Sequence, residues 1–126
     1  MAEVIETVHT VTHYLQNVAQ VVVDWDNLSI NDSGRYIGFS EFADRSVHIF
    51  GIIGGATVII EGSNEIKNPT NWFTFTGSGG TLLSLTAIGI GHIILESGMW
   101  LRPRIVGGSG TTNVSVRLYA RRNIYR

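Results

Sequence analysis

The sequence predicts an all-β fold, a two-sheet antiparallel sandwich of jelly-roll-like type with an N-terminal arm. Three observations predict it. From residue 46 onward, short apolar–polar alternations recur, the period of a strand with one buried face. Glycine-rich turn signals separate them, in a chain with 15 Gly and only 2 Pro. No stretch has the length and 3.6-residue period of a long helix. At 126 residues the chain has the size of one domain. Residues 16–126 read as a single β-sandwich, and residues 1–15 as an N-terminal arm or first strand.

The elements follow in order. Val4, Glu6, Val8 and Thr10 alternate, so this segment either forms the first strand of its own sheet or leaves to pair with a neighbour's sheet edge. Residues 16–25 carry Val18 and Val21-Val22-Val23, a buried strand. Residues 27–34 are a polar loop, and 35–42 a short strand or an irregular excursion. Residues 46–53 place Val47 and Ile49 on one face. Gly54-Gly55 then reads as a tight hairpin turn into residues 56–63, with Val58 and Ile60 on one face and Thr57, Ile59 and Glu61 on the other. A polar loop at 62–69 leads to 71–76, where Phe73 and Phe75 share a face and Trp72 and Thr74 the opposite one. After the turn at 77–80, residues 81–87 form a strand with Leu83 and Leu85 together. Residues 88–96 fit a short strand or a loop. Residues 99–106 form a strand containing Pro103, which cannot donate to a ladder and so predicts an edge or a bulge. Residues 107–110 turn the chain, much as 54–58 do, which suggests two similar hairpins. Residues 112–121 alternate most cleanly, Val114, Val116 and Leu118 inward, Ser115, Arg117 and Tyr119 outward.

Composition narrows function. Hydrophobic residues make up 44% and charged residues 15%. The charged share is low against a typical quarter, which predicts surface meant to be covered by partners. There is no Cys, which excludes disulfides, thiolate metal sites and cysteine nucleophiles. The acidic start lacks a signal pattern. The apolar stretches are short and broken by Gly, so no membrane-spanning helix and no membrane partner are expected. A net charge of −1 argues against phosphate-driven nucleic-acid binding. The charge is nonetheless lopsided, acidic up to residue 60 and basic beyond it. The two halves pair either between subunits or within one chain.

Chemistry-bearing motifs are sparse. There is no G-x-S-x-G, no phosphate-binding Gly loop with Lys and no H-E-x-x-H, so no catalytic residue, cofactor or enzyme activity is expected. His9 and His13 lie four apart, but their Val/Thr/Tyr surroundings favour strand, where they sit too far apart to share a metal. His48 and His92, isolated in apolar runs, read as core-edge residues. Asp24, Asp26 and Asp32 with Asn27 and Asn31 are oxygen-rich, yet their spacing fits an exposed turn better than a calcium loop. Trp25, Trp72 and Trp100 pose a choice between packing and sugar stacking, with Trp72 and Trp100 as the stacking candidates. The C-terminal Arg117, Arg121, Arg122, Tyr119 and Tyr125, and the N-terminal Val4, Val8, His9 and Tyr14, are the candidate partner-binding residues, since Arg and Tyr are favoured at interfaces.

Two runs resemble known proteins: Val47-His48-Ile49-Phe50-Gly51-Ile52-Ile53-Gly54-Gly55-Ala56-Thr57-Val58-Ile59-Ile60-Glu61-Gly62-Ser63-Asn64 followed by Asn71-Trp72, and Leu101-Arg102-Pro103-Arg104-Ile105-Val106-Gly107-Gly108-Ser109-Gly110-Thr111-Thr112-Asn113-Val114-Ser115-Val116. Together, over residues 45–119, they resemble small structural proteins of tailed bacteriophages that decorate or cement the capsid. The hairpin of Gly62-Ser63-Asn64 and Asn71-Trp72 also resembles discoidin-like sugar- and surface-binding modules. It departs from them in having Asn64-Glu65-Ile66-Lys67-Asn68-Pro69 where an aspartate–glycine turn is common. The first resemblance implies a non-enzymatic virion protein, made in the host cytoplasm and placed on the capsid exterior. It would bind the major capsid protein and itself as a homodimer or homotrimer, and stabilise contacts between capsomers. The alternative it leaves is a carbohydrate-binding or host-attachment module of a phage fibre or tail.

Overall fold

The computed structural model describes residues 2–12, 18–38 and 41–123. They form two mostly antiparallel sheets packed as a sandwich, with a single 3₁₀ turn at Ser78–Gly80. In chain order the strands are β1 (Glu3–Val4), β2 (Thr7–Thr12), β3 (Val18–Leu28), β4 (Ser33–Gly34), β5 (Asp44–Ile52), β6 (Ala56–Ser63), β7 (Phe73–Thr74), β8 (Ser84–Leu85), β9 (Gly91–Ile93), β10 (Trp100–Gly107) and β11 (Asn113–Asn123). One sheet runs β1-β4-β10-β6-β7, with β8 also on β6, and the other runs β2-β3-β11-β5-β9. The N-terminal segment lies along the edges of the sandwich's own sheets: β1 pairs in parallel with β4, and β2 antiparallel with β3.

The core lies between the sheets. Val21, Val23, Trp25, Val47, Ile49, Val114, Val116 and Leu118 face Val58, Ile60, Phe75, Leu83, Leu101 and Ile105, all buried. Trp25 and Leu28 are both buried although three residues apart, a spacing that a regular strand places on opposite faces. A register shift between Val114 and Val116 of β11, opposite Leu28 and Trp25, reconciles them. Asn27 supplies the left-handed residue there, with φ 59°. The Trp25 indole Nε1 donates to the Arg35 carbonyl at 3.0 Å, so its one polar atom is satisfied inside the core.

The two Gly-rich turns are not hairpins. β5 pairs with β11 and β6 with β10, in different sheets. The turn at Gly54-Gly55 therefore carries the chain from one sheet to the other, as does the turn at residues 108–112. Positive φ at Gly54 (56°) and Gly55 (80°) suits a hairpin turn equally well. What decides the matter is the second corner, which packs on the first. Thr112 Oγ1 donates to the carbonyls of Ile53 (3.2 Å) and Gly54 (3.4 Å), and accepts from Ser109 N at 2.9 Å.

The expected strands over 71–76 and 81–87 shrink to β7 and β8. They share one edge of β6: β7 pairs with Glu61 and Gly62, β8 with Val58 and Ile59. The edge changes hands at Ile60, whose carbonyl accepts from Phe75 N and whose N–H donates to the Leu83 carbonyl. The ambiguous 88–96 segment contains β9, and among the described residues of 35–42 only Ile37 bridges, to Leu101. β10 is an interior strand, against the edge expectation. Leu101 N and Ile105 N donate toward Ile37 and Asp32 on its β4 side. Pro103, midway between them, falls on that same side, where the short β4 leaves the ladder interrupted.

Candidate partner-binding surfaces

Three surfaces emerge from this framework. The first is the outer face of the five-stranded sheet, where alternation places Arg117, Tyr119 and Arg121 of β11. The β3 and β2 registers bring Asp24 beside Arg117 and His9 beside Val22. Arg117 donates through Nε (2.6 Å) and Nη2 (3.1 Å) to Asp24, which holds the guanidinium above its ordinary pKa. His9 Nε2 lies 3.6 Å from the same carboxylate. Arg121 pairs with Asp44, and the Arg117 guanidinium lies 5.3 Å from the Phe50 ring centroid. Of the predicted partner-binding residues, His9, Arg117, Tyr119 and Arg121 thus share one face. Val4 packs against the core, Val8 lies on the edge strand β2, and Arg122 sits with its guanidinium 5.3 Å from Phe42. Tyr14, Tyr125 and His13 lie outside the described residues.

The lopsided charge pairs within the chain. The acidic front half meets the basic back half at Asp24–Arg117 and Asp44–Arg121, while Glu6 takes Arg35. The expected exposed turn is met only in part: Asp24, Asp26 and Asn27 belong to β3, Asp24 and Asp32 are buried, and Asp32 accepts from the nearby Ser29 N at 2.8 Å and the distant Ala2 N at 3.0 Å.

The second surface is the outer face of the six-stranded sheet. Arg102 and Glu61 are direct partners in the β10–β6 register. Glu61 is only 3% exposed, although it sits on the solvent side of its sheet. It accepts from Arg102 Nε at 2.7 Å and from Arg104 Nε at 3.1 Å. The Arg102 guanidinium covers the Trp72 ring at 4.0 Å. Tyr36 bridges the two candidate stacking residues, 6.0 Å from Trp72 and 5.0 Å from Trp100. Trp100 Nε1 donates to the Glu65 carbonyl at 2.7 Å. The Glu65 carboxylate folds the polar loop by accepting from Asn71 N (2.7 Å) and Thr70 N, bonds that hold it below the usual carboxylate range. Trp72 and Trp100 therefore do come together, but one ring is roofed by an arginine and the other is tied into the loop.

The third surface was not read from the sequence. Leu82, Ile88, Ile90, Ile93 and Leu95 are each 42–57% exposed along one rim. Of these, Leu82 and Ile93 line a groove of about 440 Å³ between residues 77–85 and β9, together with Leu83, Leu85, His92, Ser78, Thr81 and Ser84. The signal that could have found it is the complete absence of Asp, Glu, Lys and Arg between Lys67 and Glu96. Glu96 latches the base of the rim. It accepts from Thr76 Oγ1 (2.6 Å) and Thr76 N (2.8 Å), and these bonds lower its pKa. Behind it, Arg45 is 6% exposed, with Nη2 donating to the Glu96 carbonyl and the guanidinium 5.2 Å from Phe75. Burial lowers the Arg45 pKa, and the Glu96 charge opposes that shift.

Chemically the groove offers one imidazole and three hydroxyls with no carboxylate beside them. Among the described residues no three His, Cys, Asp or Glu side chains gather to hold a metal, and no helix is long and apolar enough to cross a membrane. No protein-family model, curated protein or solved structure matches the chain.

Proposed function

We propose that this chain is a non-enzymatic β-sandwich module that binds protein surfaces, and specifically a virion protein that decorates the outer capsid and stabilises contacts between capsomers. The observation that carries the binding part is the uncharged apolar rim at residues 82–95. Half-exposed apolar side chains of this size lower the free energy when another apolar surface covers them, by about 25 cal/mol per Å². The outer face with Arg117, Tyr119 and Arg121 adds residue types favoured at interfaces. The capsid part rests on the resemblance of residues 45–119 to tailed-phage decoration proteins. On a symmetric lattice, many modest contacts sum through multivalency. The partners in this reading are the major capsid protein and further copies of the chain itself.

The stacking geometry bears on the carbohydrate alternative. Arg102 occupies one face of the Trp72 ring, which reduces the surface left for a sugar and favours the protein-binding reading. The test is co-sedimentation of the purified chain with tailed-phage capsids that lack it. Saturation at a fixed copy ratio to the capsid subunit supports the proposal. Failure to bind, together with binding to a glycan array, replaces it with the alternative.

A further inference from the structure

We infer that Arg102 and Arg104, clamped by Glu61, form a preformed receptor for a carboxylate on a partner protein. The inference rests on the reading of the chain as a protein-binding module and names the chemistry of one of its contacts.

Each of the two guanidiniums reaches Glu61 through Nε, Arg102 at 2.7 Å and Arg104 at 3.1 Å and 3.2 Å. No hydrogen bond from a terminal Nη of either residue to a described residue is present, and neither side chain holds a buried unsatisfied atom. The Nη groups therefore have no hydrogen-bond partner among the described residues, on side chains 21% (Arg102) and 40% (Arg104) exposed. Arg117, on the opposite face, differs: its Nε and Nη2 both engage Asp24, so that edge of its fork is filled. A planar fork held at one atom keeps the outer edge that recognises carboxylates bidentately.

Charge complementarity selects the occupant. Two cations share one carboxylate, which leaves a surplus of one positive charge, and that carboxylate is buried. The nearest other acid in the loop, Glu65, turns its oxygens to Thr70 and Asn71. The site is pre-ordered: Trp72 stacks under Arg102, and Tyr36 and Trp100 complete an aromatic wall. A Trp, Tyr and Arg cluster of this kind is the composition of interface hot spots. Arg102 already covers one face of Trp72, which favours an Asp or Glu side chain of a protein over an acidic glycan that would stack there.

The test is a ¹H–¹⁵N NMR titration of the full chain with octaglutamate in about 50 mM salt, a range where such contacts are weakly screened. The proposal expects saturable shifts of the Trp72 and Trp100 indole N–H and the Arg102 and Arg104 Nε–H signals. R104Q, with dispersion unchanged, weakens them by about tenfold. Octaglutamine on the wild-type chain leaves them in place, a comparison that needs no variant to fold. Equal shifts by octaglutamine, or no shift with octaglutamate, overturns the proposal. So does a response to trigalacturonate alone, which assigns the site to acidic glycans. Octaglutamate binding without capsid co-sedimentation removes the capsid reading and leaves the receptor. Capsid binding without any octaglutamate response does the reverse.

Discussion

The paired corners at residues 51–56 and 107–113 and the rim at residues 77–95 are built from the same vocabulary of Gly, Ser, Thr and aliphatic residues, and they behave in opposite ways. In the corners the hydroxyls bond within their own corner or across to the other. Thr112 Oγ1 bonds Ile53, Gly54 and Ser109, and Ser109 Oγ lies 2.9 Å from Thr111 Oγ1. In the rim the strands shrink to two and three residues, and the aliphatic side chains that the core cannot take point to water. Composition does not separate a self-satisfied segment from a partner-seeking one. What separates them is whether the neighbour in space is the chain itself.

Six substitutions break or sharpen this contrast. Gly108→Val is the most damaging, at about 2–4 kcal/mol, because it adds a β-branched residue at positive φ and overpacks the corner. Its φ is 112°, and a Cβ there would stand 2.6 Å from Thr112 Oγ1. Urea unfolding measures the loss. Thr112→Val keeps the shape and removes the hydroxyl, leaving Ser109 N without its acceptor. It costs about 1–2 kcal/mol by the same assay.

Glu96→Gln probes the latch at the base of the rim. Glu96 is held below its ordinary value of 4.5 by Thr76. Its contribution is therefore complete above that unfolded value and is lost as pH falls through the lower folded value. Wild type should lose stability as acid crosses that window, while Glu96→Gln starts lower at neutral pH and shows a flatter acid limb in midpoints measured at several pH values. The smallest effect on stability belongs to the rim itself. Leu82→Ser, Ile90→Ser and Leu95→Ser each change unfolding by less than about 0.5 kcal/mol, since these side chains are already wet. A cost above about 2 kcal/mol for any of them would move it from the partner surface into the core.

Much of the fold was legible because alternation reports burial directly. Val114, Val116 and Leu118 face inward and Arg117 and Tyr119 outward, as read, and Val47, Ile49, Val58 and Ile60 all reach the core. Pairing partners were not legible. Gly54-Gly55 signals a tight turn but not whether the next strand joins the same sheet, which contacts distant in sequence decide. The strands β7 and β8 were read too long, and β9 was left open between strand and loop, because two or three residues carry no period. In the candidate surfaces, the gathering of His9, Arg117, Tyr119 and Arg121 followed from strand parity once the registers were known. Glu61 was assigned to the correct face, yet its burial was invisible, because it comes from two arginines more than forty positions away. The rim escaped notice because a run without charges was read for its strands and not for what it leaves uncovered.

The proposed contact surface is the rim. Hydrogen–deuterium exchange of the chain, free and bound to capsids, tests it. The account predicts slowed exchange at residues 82–95 on binding, with the corners at 51–56 and 107–113 unchanged. Capsid-bound chain with the rim exchanging as fast as in the free state, and protection confined to other faces, would contradict it.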